Sequence, residues 1–137
     1  MNKTLLTTIS SSLVVFSGAG FSHGHHPSIH KEYLTSTHGI LKITLLNGYE
    51  NRMCYQFEQD GKELTPLQVC LDGKEQRELD FDVIVEPDVK KEFTFCSLSG
   101  FIGDSSRVRS RMCTEVSMLY AKTLIEKRQK QLEELRK

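Results

Sequence analysis

The chain of 137 residues is expected to fold as one α+β domain, a small antiparallel sheet of four or five strands covered by a long C-terminal helix and locked by two disulfides. Three observations lead there. Apolar and polar residues alternate through several short runs separated by Asn-Gly and Asp-Gly dipeptides. After Gly103 there is no proline or glycine, and apolar residues recur at helical spacing. Four cysteines (Cys54, Cys70, Cys96 and Cys113) stand far apart, with no CxxC pair among them.

The N-terminus reads as a secretory signal over residues 1–22. Lys3 supplies the charged start, "LLTTISSSLVVF" a weakly apolar stretch, and small residues follow, so cleavage is expected after Ala19 or after Ser22. The stretch is too short and too polar for a stable membrane anchor, and no other integral membrane segment is expected. Residues 23–38 read as a flexible histidine-rich leader, and residues 39–137 as the domain itself.

Within the domain, "ILKITLL" runs into Asn47-Gly48 and then "YENRMCYQFE", the pattern of a hairpin. Leu41, Ile43 and Leu45 share one face of the first strand, and Met53, Tyr55 and Phe57 one face of its return. Asp60-Gly61 marks a second turn. In "KELTPLQVCL", Pro66 lacks the N–H that a central strand uses, which requires an edge or an interruption. After Asp72-Gly73, Leu79, Phe81, Val83 and Val85 alternate with Asp80, Asp82, Ile84 and Glu86, and in "KKEFTFCSLSG" Phe93 and Phe95 share a face.

A helix is expected over about residues 105–136, with Asp104 or Ser105 as N-cap. Val108, Met112, Cys113, Val116, Leu119, Tyr120 and Leu124 fall on one broad side and form the natural cover for the sheet. Such a helix would be about 48 Å long, more than short strands can cover. Its last turns then carry a rotated stripe of Ile125, Leu132 and Leu135, free to dock on a partner or a symmetry mate.

Cys54 is expected to pair with Cys70 and Cys96 with Cys113, each bond being worth roughly 3 kcal/mol through the loop it closes. Strict alternation puts Cys54, Cys70 and Cys96 opposite the faces bearing Tyr55, Val69 and Phe95, whereas Cys113 lies on the covering helix. The second bond therefore needs a strand end or a bulge.

Charge cancels overall, with 18 basic and 18 acidic residues, but it is unevenly placed. Residues 50–92 hold twelve acids against six bases, and residues 104–137 nine bases against five acids. No unneutralised basic surplus is available to track phosphates, so nucleic acid is excluded as a partner.

Histidines are the first candidates for chemistry. If cleavage follows Ser22, His25 stands third and the new amine, two amides and an imidazole can surround Cu(II); His23, His26 and His30 could add a zinc or copper site. Otherwise no cofactor is expected. Asp80, Asp82 and Glu86 share a strand face, and a small secreted hydrolase could use them as paired carboxylates, although a solvated outer face explains them equally. "GxSxG", "HExxH" and phosphate-cradling glycine loops are absent. Arg107, Arg109 and Arg111 alternate at the helix start and could meet an acidic partner or a carboxylate of the same chain.

These features favour an exported, periplasmic or secreted protein-binding or accessory module without catalytic activity. Its partner is expected to be another extracytoplasmic protein, or a second copy through the C-terminal helix. Contacts are expected at Ile125, Leu132, Leu135, Arg107 and Arg111. A copper- or zinc-binding protein is the alternative, and the hydrolase a second one.

Overall fold

In the computed structural model, residues 23–100 and 110–137 are described. Among them are eight strands and one helix: β1 (His23–His26), β2 (Ile29–Tyr33), β3 (His38–Asn47), β4 (Met53–Gln59), β5 (Lys62–Leu71), β6 (Gln76–Ile84), β7 (Lys91–Gly100), β8 (Arg111–Leu119) and α1 (Lys122–Leu135). The expected combination of sheet, C-terminal helix and two disulfides is present. What covers the sheet is different.

The strands form two sheets, one in the order β1-β3-β6 and the other β2-β8-β7-β4-β5. All pairings are antiparallel except β2 with β8. The inner faces meet in one core. Leu41, Ile43, Leu45 and Val83 come from the smaller sheet, and Met53, Tyr55, Phe57, Phe95, Val116 and Met118 from the larger. These are the faces that alternation assigns inward, because a strand turns every second side chain the same way. Phe57, Phe81 and Phe95 join the sheets, with ring centroids 4.6–5.6 Å apart.

The cover is thus a second sheet, and the expected helix over residues 105–136 is corrected. Residues 111–119 form β8, with Thr114, Val116 and Met118 buried. "RMCTEVSML" satisfies a helical stripe and a strand alternation alike, since an apolar residue faces outward (Leu119) and a polar one inward (Thr114). Pairing with β7 decides between them. The helix begins only at Lys122, so it is about 21 Å long. The expected N-caps Asp104 and Ser105 lie outside the described residues.

Two further expectations change. Asn47-Gly48 does not close a hairpin, because β3 and β4 belong to different sheets. The buried Asn47 side chain instead organises a crossover: its amide donates to the carbonyls of Asn51, Leu71 and Asp72 at 2.9–3.2 Å, and its oxygen accepts from the Tyr49 N–H. Asp60-Gly61 does close a hairpin, β4 to β5, with φ of 50° and 77° as a two-residue primed turn demands. Pro66 sits in an edge strand where the register shifts, as its missing N–H requires.

Both expected disulfides form, each between residues directly opposed on neighbouring strands and with Cα atoms 4.0 Å apart. The conflict between the cysteines and the apolar faces dissolves. All four lie on the outer face of the larger sheet, opposite Tyr55, Val69, Phe95 and Thr114, and Cys113 needs no bulge because it is on a strand.

Candidate functional site

Residues 23–38 are not a flexible leader: His23 and His25 belong to β1, with 3% and 8% of their surface exposed. Their rings point across the sandwich into a patch of hydroxyls. His23 reaches Ser110 Oγ through Nδ1 (3.1 Å) and Ser97 Oγ through Nε2 (2.9 Å). His25 reaches Ser97 Oγ through Nδ1 (2.6 Å) and Thr114 Oγ1 through Nε2 (2.7 Å). Thr114 Oγ1 also contacts the Pro27 carbonyl.

That carbonyl fixes the direction at one end of the chain, because it can only accept, and the rest follows for neutral imidazoles. Thr114 donates to Pro27 and therefore accepts from His25 Nε2–H. His25 Nδ1 is then an acceptor for the Ser97 hydroxyl, whose oxygen accepts from His23 Nε2–H, and Ser110 donates to His23 Nδ1. With both imidazoles neutral, all five bonds run one way. Burial pushes both rings down to about 4, opposed at His23 by a hydrogen bond at Ser110 and reinforced at His25 by its neighbours His23 and His26. The Tyr55 ring lies 4.8 Å from that of His23, and its buried hydroxyl has no hydrogen-bond partner among the described residues.

This arrangement corrects the metal reading of His23, His25, His26 and His30. The amino-terminal chelate needs His25 Nδ1 and its preceding backbone free, but Nδ1 is bonded to Ser97 and the backbone of β1 is paired with β3. His26 points outward, and His30 bonds to Glu32 at 3.1 Å. Among the described residues no group of three or more His, Cys, Asp or Glu could hold a metal ion. Ser97, Ser110 and Thr114 do not stand out in the sequence. Their signal is the inward face of β7, which passes from Phe93 and Phe95 to Ser97 and Ser99, and the matching Thr114 beside Val116 and Met118.

At the other end of the molecule α1 leaves the sandwich. Its N-cap position, Ala121, offers no side-chain bond, and the cap comes from elsewhere. Asp88, in the β6–β7 loop, accepts from the Thr123 N–H (3.0 Å) and from its hydroxyl (2.6 Å). Those hydrogen bonds hold the Asp88 carboxyl below its ordinary range. Asp88 N–H also donates to the Tyr120 carbonyl at 2.8 Å. Beyond this clamp no residue of α1 is buried; Leu124, Leu132 and Leu135 are 67%, 50% and 83% exposed, and Ile125 is half-buried. With Arg128 they occupy a stripe about 100° wide.

Of the arginines, Arg111 pairs with Glu58 on the outer face of the larger sheet (3.1 Å), and Arg107 and Arg109 lie outside the described residues. Asp80, Asp82 and Glu86 are exposed rather than gathered in an enclosed pocket, and Lys42 bridges Asp80 and Glu78. Asp82 borders a cleft of about 270 Å³ between β6 and β5, lined chiefly by Leu41, Leu64, Phe81, Val83, Phe93 and Phe95. No described helix is long and apolar enough to cross a membrane.

No family model matches the sequence, and no curated protein matches it. Solved structures do. A PapD-like domain of human CEP192 superposes on 83% of this chain and 97% of its own length, with a TM-score of 0.60 at 6% identity. The fold is similar to that of PapD-like domains. The YadV chaperone gives a TM-score of 0.56 at 13% identity over 73% of this chain, and the E. coli chaperone DraB 0.55 at 18% over 74%. The chain spans about half the length of these two chaperones, 52% and 56%. At such identities the likeness establishes the PapD-like sandwich and nothing more specific.

Proposed function

We propose that this protein is an exported, PapD-like protein-binding module that acts by docking rather than by catalysis, with another extracytoplasmic protein seated on the exposed stripe of α1. The observation that carries this reading is the helix itself. It is clamped at its first turn by Asp88, then projects with Leu124, Leu132 and Leu135 uncovered. An apolar stripe at i, i+8 and i+11 that covers nothing in its own domain suits insertion into a groove. Arg128 within the stripe calls for a carboxylate in that groove. Two formed disulfides support a periplasmic or secreted setting, where thiols oxidise. The signal-like residues 1–22 and the expected contact Arg107 belong to the same reading and lie outside the described residues. Two proteins with this sandwich are chaperones by description, which supports a binding role here.

The test compares the full chain with a Leu124→Ser, Leu132→Ser, Leu135→Ser variant in crosslinked recovery from an extracytoplasmic extract. None of these residues is buried, so the variant keeps the thermal midpoint of the parent. Loss of a specific crosslinked protein supports the reading. Equal recovery from both chains refutes it, and a crosslink only between copies replaces the heterologous partner with self-association.

A further inference from the structure

The smaller sheet has three strands and the larger five, so the sandwich is incompletely closed along one side. There β6 is an edge: no described strand pairs with its outer side, where the Lys91 side chain donates to the Ile84 carbonyl at 2.7 Å. Beside it lies the cleft bordered by Leu64 of β5 and by Phe81 and Val83 of β6. The edge therefore offers two rows. Phe81 and Val83 turn inward to the cleft, with Leu79 on the same face, and Glu78, Asp80 and Asp82 turn outward to solvent. Lys42 alone is bonded to the outward row, shared between Glu78 and Asp80, which leaves Asp82 without an ion pair among the described residues.

We propose that the β6 edge receives an extended segment of a partner protein in which apolar residues alternate with Lys or Arg. Added antiparallel or parallel, such a segment completes the smaller sheet through main-chain hydrogen bonds. Its apolar side chains enter the cleft, and its cations stand beside the acid row, at the distance where opposite charges on neighbouring strands attract. Two other occupants fit worse. A second copy joined edge to edge would set one acid row against another, an arrangement that repels. A small molecule would find a cavity of about 270 Å³, open along a strand and below the roughly 300–1,000 Å³ typical of ligand pockets. This surface is separate from α1, and neither depends on the other.

The probe is a synthetic nine-residue peptide of alternating Lys and Val, added to the full chain, with affinity read by calorimetry and location by amide hydrogen exchange. Binding should slow exchange in Gln76–Ile84. A peptide of alternating Glu and Val should not bind. Asp80→Lys with Asp82→Lys, both at exposed positions, should weaken the Lys/Val peptide roughly ten- to thirtyfold, two cross-strand attractions having become repulsions. The α1 variant described above should bind the peptide as the parent does, which separates this surface from the helix. The proposal is overturned by no binding at millimolar peptide, by protection confined to another strand, by equal binding of the two peptides, or by undiminished affinity in the charge-reversed variant.

Discussion

Acidification should loosen this protein well before its carboxylates titrate, because two neutral imidazoles are built into its core. His23 and His25 have an ordinary value near 6.5 when unfolded and about 4 in the fold. Depressed values mean that the unfolded chain binds more protons between those limits. Stability is then unaffected above pH 6.5, falls as the pH drops toward 4, and levels off below. Between pH 7 and pH 5 the linkage costs about 2 kcal/mol for each histidine, hence roughly 3–4 kcal/mol for both, because each tenfold change in a protonation equilibrium is worth about 1.4 kcal/mol. The geometry gives the same sign. A second proton on His25 Nδ1 would face the Ser97 hydroxyl that donates to it in the neutral state, so the Ser97 and His23 protons would have to rearrange. Urea unfolding at half-unit steps from pH 7.5 to 5 measures the change, and NMR titration of the imidazole protons assigns it. Unfolding free energies that stay flat over that range, or imidazoles of His23 and His25 titrating near 6.5, would refute the buried-neutral arrangement. With both histidines replaced by Asn, the drop over this range should be much smaller.

Other outcomes follow from single contacts. Replacing Cys96 and Cys113 together by Ser opens a 17-residue separation and should cost about 3 kcal/mol in denaturant unfolding, with the midpoint lowered and the sheet signal retained; an unchanged midpoint would contradict a formed bond. Gly73→Ala places a Cβ 1.9 Å from the Glu50 carbonyl oxygen, a backbone atom that cannot swing aside. A loss of about 3 kcal/mol or more is expected, and a neutral effect would mean that the β5–β6 crossover runs elsewhere. Asp88→Ala removes the side-chain cap that α1 receives among the described residues, so circular dichroism should show lost helix and exchange should quicken at Lys122–Ile125 while the sandwich amides keep their protection.

Much of the sandwich was readable from alternation. Leu41, Ile43, Leu45, Met53, Tyr55 and Phe57 are inward as a period of two requires, and the cysteine spacing identified both disulfides. The acidic outer row on β6 and the stripe of Ile125, Leu132 and Leu135 were legible too, because both depend on local periodicity, whereas Leu124, expected to cover the sheet, is exposed beside them because the cover is a second sheet. The histidine ladder was not. A polar residue on an inward face looks the same in sequence as one on an outward face, and His23, Ser97 and Thr114 meet only because strands from different sheets are superposed.

Local pattern by itself determined which segments extend, which side chains share a face, where the chain turns at Asp60-Gly61, and which cysteines can reach each other. Tertiary structure alone decided that β3 and β4 part into different sheets, that residues 111–119 become a strand, and that Asp88 caps a helix more than thirty residues away. The physical reason is the range of the forces involved. Side-chain direction along a strand is set by neighbouring backbone angles, whereas the choice of partner strand, and the satisfaction of a buried hydroxyl or imidazole, depend on atoms brought close only when the whole core has closed.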